Sequence, residues 1–100
     1  MARGYWIGRI DAHDEAGFRP YAAANPAIIK KFGGRYVVRS GTFESVEGQC
    51  RSHNVVIEFP DYATAVACYR SPEYQSNLKI RQANAITDLI IVEGYDGPQP

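Results

Sequence analysis

One short stretch, residues 53–75, constrains the fold more than any other part of the chain. It opens with HNVVIEF, whose β-branched and aromatic side chains are typical of a packed strand. Pro60 ends the strand because it has no N–H for the ladder, and Asp61 follows as the N-cap of a helix. Ser71 and Pro72 form a second start signal, so the helix is predicted to break there and begin again.

Three further strands and one further helix are predicted around this stretch. The strands span residues 4–12, 35–41 and 87–95, where side chains alternate or are β-branched. A helix capped by Asp14 lies between the first two strands. Pro26 is expected to kink or break this helix, because its ring clashes with the carbonyl one turn earlier.

A hairpin is predicted between the second and third strands. Residues 43–51 are expected to form one arm of it, with a turn of two residues at Glu47-Gly48. In the register that this turn sets, Val38 faces Ile57 across the strands.

The order of elements, β-α-β-β-α-β, is the ferredoxin-like pattern within a single domain at residues 1–100. Right-handed crossovers then give an α+β fold with a four-stranded antiparallel sheet, in the strand order 4-1-3-2, and both helices on one face. The side chains expected on the helix-covered face are Trp6, Ile10, Tyr36, Val38, Val55, Ile57, Phe59, Ile90 and Val92.

The opposite face of the sheet is predicted to be about half apolar, although a face in water is mostly polar. A second copy of the chain, related by two-fold symmetry, is the expected cover; the alternative is a monomer with an exposed face. The residues assigned to this homodimer contact are Ile7, Arg9, Val37, Val56, Glu58 and Ile91. Arg39 and Glu58 are expected to form an ion pair there, the alternative being a clamp on a substrate.

Charge and composition exclude several classes of function. Lys plus Arg and Asp plus Glu are balanced at 11 each, so no net field attracts nucleic acid or an anionic membrane. No segment approaches the length of a transmembrane span, and the first residues lack the apolar core of a signal peptide. The two cysteines are interpreted as free thiols, so a cytoplasmic protein is expected.

Several motifs along the chain carry a family resemblance. GYW, GGRYVVRSG, VVIEFP, YRSPEYQ and DLIIVEG resemble the bacterial family of domains of unknown function numbered thirteen-thirty, over about residues 4–95. The resemblance implies a dimeric α+β barrel, in which two ferredoxin-like sheets pack face to face. Relatives in that group include cofactor-free monooxygenases, muconolactone isomerases and stress-responsive barrel proteins, so the likeness implies no single activity. The positions that match the family's motifs are Arg39, Glu58, Ser71, Pro72, Glu73 and Tyr74.

The sequence contains no strong catalytic signature such as a Gly-rich phosphate loop, HExxH or paired CxxC. A small-molecule pocket between the first helix and the sheet is predicted instead, because aromatic walls with a few polar groups are typical of such sites. The expected substrate-binding residues are Trp6, Tyr21, Tyr36, Arg39 and Tyr69. His53 is the weak catalytic candidate at the rim, since histidine exchanges protons near neutral pH. The alternatives are a packed aromatic core and a solvated histidine.

Two functions remain open at this point. The first is a cofactor-independent enzyme, an isomerase or monooxygenase, in which one base deprotonates a small hydrophobic or aromatic compound. The second is a non-catalytic ligand-binding or stress-related dimer, and the fold does not decide between them. No cofactor and no metal site are predicted, because a metal needs three or four converging ligands and only two histidines are present.

Overall fold

A computed structural model describes residues 2–100, which form one four-stranded antiparallel sheet and three helices. The strands are β1 (Gly4–Ala12), β2 (Arg35–Arg39), β3 (His53–Phe59) and β4 (Ala85–Glu93), and the helices are α1 (Glu15–Lys31), α2 (Tyr62–Arg70) and α3 (Pro72–Asn84). The strands lie in the order β2-β3-β1-β4, which confirms the predicted ferredoxin-like arrangement. Within residues 2–100, no helix is long and apolar enough to cross a membrane.

The helices begin where the capping signals predict. The Asp14 carboxylate accepts a backbone hydrogen bond at 3.0 Å, and the Asp61 carboxylate accepts one at 2.7 Å. Ser71 separates α2 from α3: its Oγ donates to the Cys68 carbonyl at 2.7 Å and accepts from Tyr74 N at 3.2 Å. One hydroxyl therefore satisfies a backbone group of each helix, which explains why the predicted break occurs at this position.

Helix α1 is continuous although two prolines lie inside it, so the expected break at Pro26 does not occur. Pro26 has no N–H to donate to the Ala22 carbonyl. The guanidinium of Arg39, at the end of β2, donates to that oxygen at 3.3 Å instead. The helix ends at Lys31 with Phe32 as its C-cap, and the next residue, Gly33, has a φ of 71°, in the left-handed region that favours glycine.

The helices cover one face of the sheet, and aromatic rings dominate the core between them. The ring of Trp6 lies 5.3 Å from that of Phe59, 5.9 Å from Tyr69 and 4.8 Å from Tyr74, measured between centroids. Its indole N–H donates to the Ala65 carbonyl at 2.8 Å, so the buried ring has the polar partner it needs. A single side chain of β1 thereby joins the sheet to both α2 and α3.

The predicted faces of β4 are wrong by one residue. Ile91 lies opposite Trp6 and Leu89 packs beside it on the covered face, whereas Ile90 is 57% exposed and lies with Val92 on the open face. The sequence LIIV gives no alternation from which a face could be chosen, so the pairing with β1 decides. Ile91 consequently belongs to the core and not to the face assigned to the dimer contact.

Strand β2 contains an unpredicted β-bulge, at which its register with β3 shifts by one residue. Tyr36 lies opposite Ile57 on the covered face, but Val38 lies opposite Val56 on the open face. The expected pairing of Val38 with Ile57 is therefore wrong. The extra residue is Val37, which is exposed, and it changes the face of each residue after it.

The bulge also separates Arg39 from Glu58. Arg39 reaches the covered face, where its guanidinium lies 4.7 Å from the centroid of the Tyr36 ring. Glu58 stays on the open face, where it accepts hydrogen bonds from the Tyr5 hydroxyl and from Arg35, both at 2.9 Å. The predicted ion pair between Arg39 and Glu58 does not form.

The predicted hairpin arm at residues 43–51 is wrong, because this segment is an exposed loop. The loop is held at its end by Arg51, which lies 3.0 Å from a carboxylate oxygen of Asp11 and 2.8 Å from one of Asp88. Both cysteines are free thiols, as predicted. The turn signal at Glu47-Gly48 bends a loop and sets no strand register.

One row of apolar side chains crosses the whole open face. From β2 to β4 the row consists of Val38, Val56, Ile7 and Ile90, each opposite the next. The neighbouring rows contain the charged residues Arg35, Glu58, Arg9 and Asp88. The predicted positions of Ile7, Arg9, Val56 and Glu58 on this face are correct. The open face is therefore an apolar stripe with charged borders.

Candidate functional site

A cavity of about 90 Å³ lies between α1, α3 and the covered face of the sheet. Phe18, Tyr21 and Ala22 line it from α1, and Tyr74 lines it from α3. Its floor is mostly aliphatic, with Ile10, Val55, Ile57 and Leu89 among its members. The volume is below the roughly 300–1,000 Å³ of typical drug-sized pockets, so the cavity suits a compound of about one ring.

Gly8 leaves the middle of the cavity floor open. It lies on β1 between Val55 and Leu89, which are its partners on the two neighbouring strands. A Cβ at this position would meet only the Leu89 side chain, at 3.4 Å, which is ordinary van der Waals contact. A methyl group would therefore fit here without moving the backbone, and any further atoms of a side chain would extend into the cavity.

Hydrogen bonds fix the aromatic rings around the cavity. The hydroxyls of Tyr21 and Tyr74 lie 2.8 Å apart, and the Asn77 amide donates to the Tyr21 carbonyl at 3.3 Å. The Asn25 amide donates to the Tyr36 hydroxyl at 3.2 Å. Burial raises the pKa of both Tyr21 and Tyr36 above the usual value, so these phenols stay neutral at physiological pH.

His53 lies at the rim of the cavity with both ring nitrogens in polar contacts. Nδ1 is 3.1 Å from Ser40 Oγ, and Nε2 is 3.3 Å from the Glu15 carboxylate. The imidazole also stacks on Phe18, with the ring centroids 6.2 Å apart. When Nε2 carries the proton and donates a hydrogen bond to the Glu15 carboxylate, Nδ1 accepts one from the Ser40 hydroxyl. The two contacts together fix the orientation of the imidazole ring.

Four of the five predicted binding residues line the cavity together with His53, namely Trp6, Tyr21, Tyr36 and Arg39. Tyr69 does not, because its ring packs against Trp6 and Tyr74 away from the open space. Whether these residues bind a ligand stays a prediction. Among residues 2–100, no group of three metal-binding side chains comes together.

Sequence reasoning missed four polar residues that line the cavity, Arg81, Thr87, Asn25 and Ser40. A helical spacing was available for the first: positions 74, 77, 78 and 81 form one stripe of α3, and all four are buried. An arginine at the end of a buried stripe is the signal that was overlooked. For Thr87 no such signal exists, because its face depends on the pairing of β4 with β1.

The fold defines a class of small α+β proteins with a ferredoxin-like sheet, and an oxygenase and a monooxygenase of solved structure share it. Within that class the chain belongs to the family described as a domain of unknown function, DUF1330, which matches residues 3–95. The resemblance inferred from the sequence motifs is thereby confirmed. None of the curated proteins compared with the chain is a detectable relative.

Solved structures extend the comparison. A protein of unknown function from Rhodopseudomonas palustris has a TM-score of 0.77 at 17% identity, covering 96% of this chain and 85% of that one. SnoaB, a cofactor-independent oxygenase from Streptomyces nogalater, has a TM-score of 0.65 at 14% identity, covering 100% of this chain and 97% of that one. An antibiotic biosynthesis monooxygenase has a TM-score of 0.53 at 16% identity, covering 95% and 99%. At these identities the likeness shows the fold alone.

Proposed function

We propose that the cavity binds one small aromatic or otherwise hydrophobic compound and that the protein converts it without a cofactor. The observation that supports this proposal is a largely apolar cavity with an oriented histidine at its rim. Apolar walls with few converging polar groups are typical of small-molecule sites. SnoaB, a cofactor-independent oxygenase with the same fold, makes this reaction class a natural candidate.

In this proposal His53 is the general base. Its Nδ1 takes a proton from an acidic carbon or hydroxyl of the bound compound, in place of the hydrogen bond with Ser40. Glu15 keeps the ring in orientation and stabilises the imidazolium that forms. A positioned base of this kind contributes about 10²–10⁴-fold to the rate of a proton transfer.

A thermal-shift screen of small aromatic and oxo-acid compounds tests whether the cavity binds a ligand. A compound present at one hundred times its Kd stabilises the folded state by about 2.7 kcal/mol. For a chain of this size, each kcal/mol raises Tm by roughly 4–8 °C. A true ligand therefore gives a large shift that grows with its concentration.

Gly8→Val is the matched control for this screen. The added side chain fills the cavity floor, and valine suits a strand better than glycine. The variant is expected to fold with an unchanged or raised Tm and to lose the ligand-induced shift. A shift that persists in Gly8→Val would place the ligand elsewhere, and the absence of any shift in the wild type would end the proposal.

His53→Gln separates catalysis from binding. Glutamine keeps a hydrogen-bonding side chain at the rim but cannot act as a base at neutral pH. Turnover of an identified ligand is expected to fall at least about 10²-fold while its Kd changes little. A ligand that binds the wild type and is never converted would instead identify the protein as a non-catalytic binding protein.

The working form in this proposal is a cytoplasmic homodimer joined through the open faces of two sheets. The support is the apolar stripe of Val38, Val56, Ile7 and Ile90, which leaves large hydrophobic side chains exposed in one subunit. Its charged borders suit the polar rim of an interface. Light scattering is expected to give twice the chain mass of 11.1 kDa.

A matched pair of variants on β4 tests this contact. Ile90 lies in the stripe and Ile86 lies outside it, yet they share a strand and a face and are 57% and 56% exposed. Ile90→Glu is expected to give a monomer, because it places an unpaired charge in the contact. Ile86→Glu should leave the dimer intact. A monomeric wild type at micromolar concentration would refute the contact.

A further inference from the structure

The cavity holds a positive charge that the protein does not neutralise. Arg81 is 6% exposed and lines the cavity from α3. Arginine is almost never buried without a partner, and its guanidinium stays protonated in proteins. Within residues 2–100, no Asp or Glu side chain forms an ion pair with it.

The groups around Arg81 are neutral. One guanidinium nitrogen lies 3.4 Å from the Tyr74 hydroxyl, which is a long hydrogen bond, and the group stands 5.6 Å from the centre of the Tyr21 ring. A guanidinium has five N–H donors arranged to match a carboxylate. Phenol oxygens and a ring face do not neutralise such a group, so its charge is left for another partner.

Thr87 provides a second, independent indication. Its Oγ1 is the buried side-chain polar atom that lacks a hydrogen-bond partner among residues 2–100, and it lines the same cavity. A buried hydroxyl without a partner is costly, and native proteins contain few of them. A guanidinium without an acidic partner and a hydroxyl without a hydrogen-bond partner therefore line the same cavity.

The charged residues that line the cavity also indicate that a negative partner is missing. Arg39 and Arg81 both line it, and none of its lining residues is Asp or Glu. The whole chain has a formal net charge of zero, so this local excess does not follow from composition. The buried guanidinium of Arg81 and the exposed one of Arg39 both favour a negative ligand, and the buried one does so more strongly because water screens it less.

We propose that the ligand of this cavity is a small carboxylate whose negative group pairs with Arg81. The hydroxyl of Thr87 supplies a further hydrogen bond to the same ligand. The apolar part of the ligand lies over Gly8, between the aromatic walls of the cavity. This inference rests on the proposed binding function and names the chemical class of its ligand. The pairing with Arg81 would leave the rest of the compound within the part of the cavity that His53 borders.

The test compares acids with their neutral amides. Benzoate and benzamide form one pair of probes, and propionate and propionamide form a smaller pair in case a ring does not fit. In a buffer without carboxylates, calorimetry and thermal shift are expected to show at least about a tenfold preference for the acid, since one charged hydrogen bond is worth that much or more. Gly8→Val should bind neither member of a pair.

Arg81→Met removes the charge and keeps a long apolar side chain. The variant is expected to lose the preference for the acid, so that acid and amide bind equally within about twofold. Without ligand, its Tm is expected to stay unchanged or to rise, because an unpaired buried charge has gone. A structural role for Arg81 predicts the opposite, a fall in Tm. Failure of the variant to fold would therefore overturn the inference.

Thr87→Val gives a second and milder check. Valine replaces the hydroxyl by a methyl group of similar shape, so the free protein should be no less stable than the wild type. Affinity for the acid is expected to fall by several-fold while affinity for the amide falls less. A protein that binds the amides as well as the acids refutes the carboxylate inference and leaves the cavity proposal intact. A protein that binds no compound of either kind refutes both.

Discussion

The two sides of the sheet differ in how completely their polar groups are paired. On the open face, Arg51 bridges Asp11 and Asp88, and Glu58 accepts two hydrogen bonds at 2.9 Å. Water would satisfy most of these charges without any protein partner, so such surface pairs add little to stability. These charged groups on the open face are nevertheless paired with one another or with a hydrogen-bond donor.

On the covered side, an unpaired polar group costs more because it is buried, yet the pairing of polar groups is incomplete there. Arg81 has no acidic partner within residues 2–100, and Thr87 Oγ1 has no hydrogen-bond partner there. A chain selected for stability alone would remove such groups from its interior. Proteins break local rules of this kind mainly at functional sites. The contrast between the faces therefore supports the proposal of a ligand site on the covered side of the sheet.

Packing should give the largest difference between the faces. Phe59 on the covered face is 0% exposed and packs on Trp6, so Phe59→Ala is expected to lower the free energy of unfolding by about 3–5 kcal/mol. Ile86→Ala on the open face should change it by less than about 0.5 kcal/mol. Urea denaturation at low protein concentration measures both. Equal losses would show that the open face is as buried as the core.

The cap of α3 should give a smaller effect on the covered side. Ser71→Ala is expected to cost about 1 kcal/mol, because the N-terminus of the helix that carries Arg81 loses its hydrogen-bond partner. Ser76→Ala is the matched control: the same change at an exposed position inside α3, where alanine favours the helix. If both variants unfold at the same urea concentration, Ser71 is not a cap.

The paired charges of the open face should make the smallest contribution to the free energy of unfolding, and this contribution should depend on pH. Hydrogen bonds from Tyr5 and Arg35 hold the pKa of Glu58 below its usual value. The unfolded state therefore binds the proton more tightly, so the stabilising contribution is complete above the unfolded pKa and is lost as pH falls through the folded one.

Glu58→Gln measures this contribution directly. The difference in unfolding free energy between wild type and variant is expected to be greatest near pH 7 and to shrink below about pH 4, close to the usual range for glutamate. Glu44→Gln, in the exposed loop, serves as the control. A difference that grows on acidification would contradict the assigned direction of the shift.

Local signals in the sequence predicted the helix ends and the first strand, because caps and alternation act over a few residues. Asp61, Ser71 and the alternation around Trp6 are examples. The face of β4 was not predictable in this way, since LIIV is apolar at every position and only its pairing with β1 selects Ile91 for the core.

The candidate site was predictable to the extent that it is aromatic. Trp6, Tyr21 and Tyr36 follow from their stripes. Arg39 was predicted both in the pocket and in an ion pair on the open face, and the second prediction was wrong because the bulge at Val37 leaves no mark in the sequence. The position of Thr87 in the cavity depends on the pairing of β4 with β1, which also decides which face each residue of β4 occupies. Polar groups in the cavity were thus harder to predict than its walls, because their positions depend on contacts between distant segments.

The proline inside α1 has a consequence for motion. In an uninterrupted helix the Ala22 carbonyl would be held by the N–H one turn later, and any outside partner would have to compete with that bond. With Pro26 at that position, this oxygen accepts a hydrogen bond from Arg39, an exposed side chain that lines the cavity. Exposed side chains change rotamer within nanoseconds. Arg39 can therefore leave this oxygen and return without unwinding any turn of α1, so the position of its side chain is independent of the helix's own hydrogen bonds.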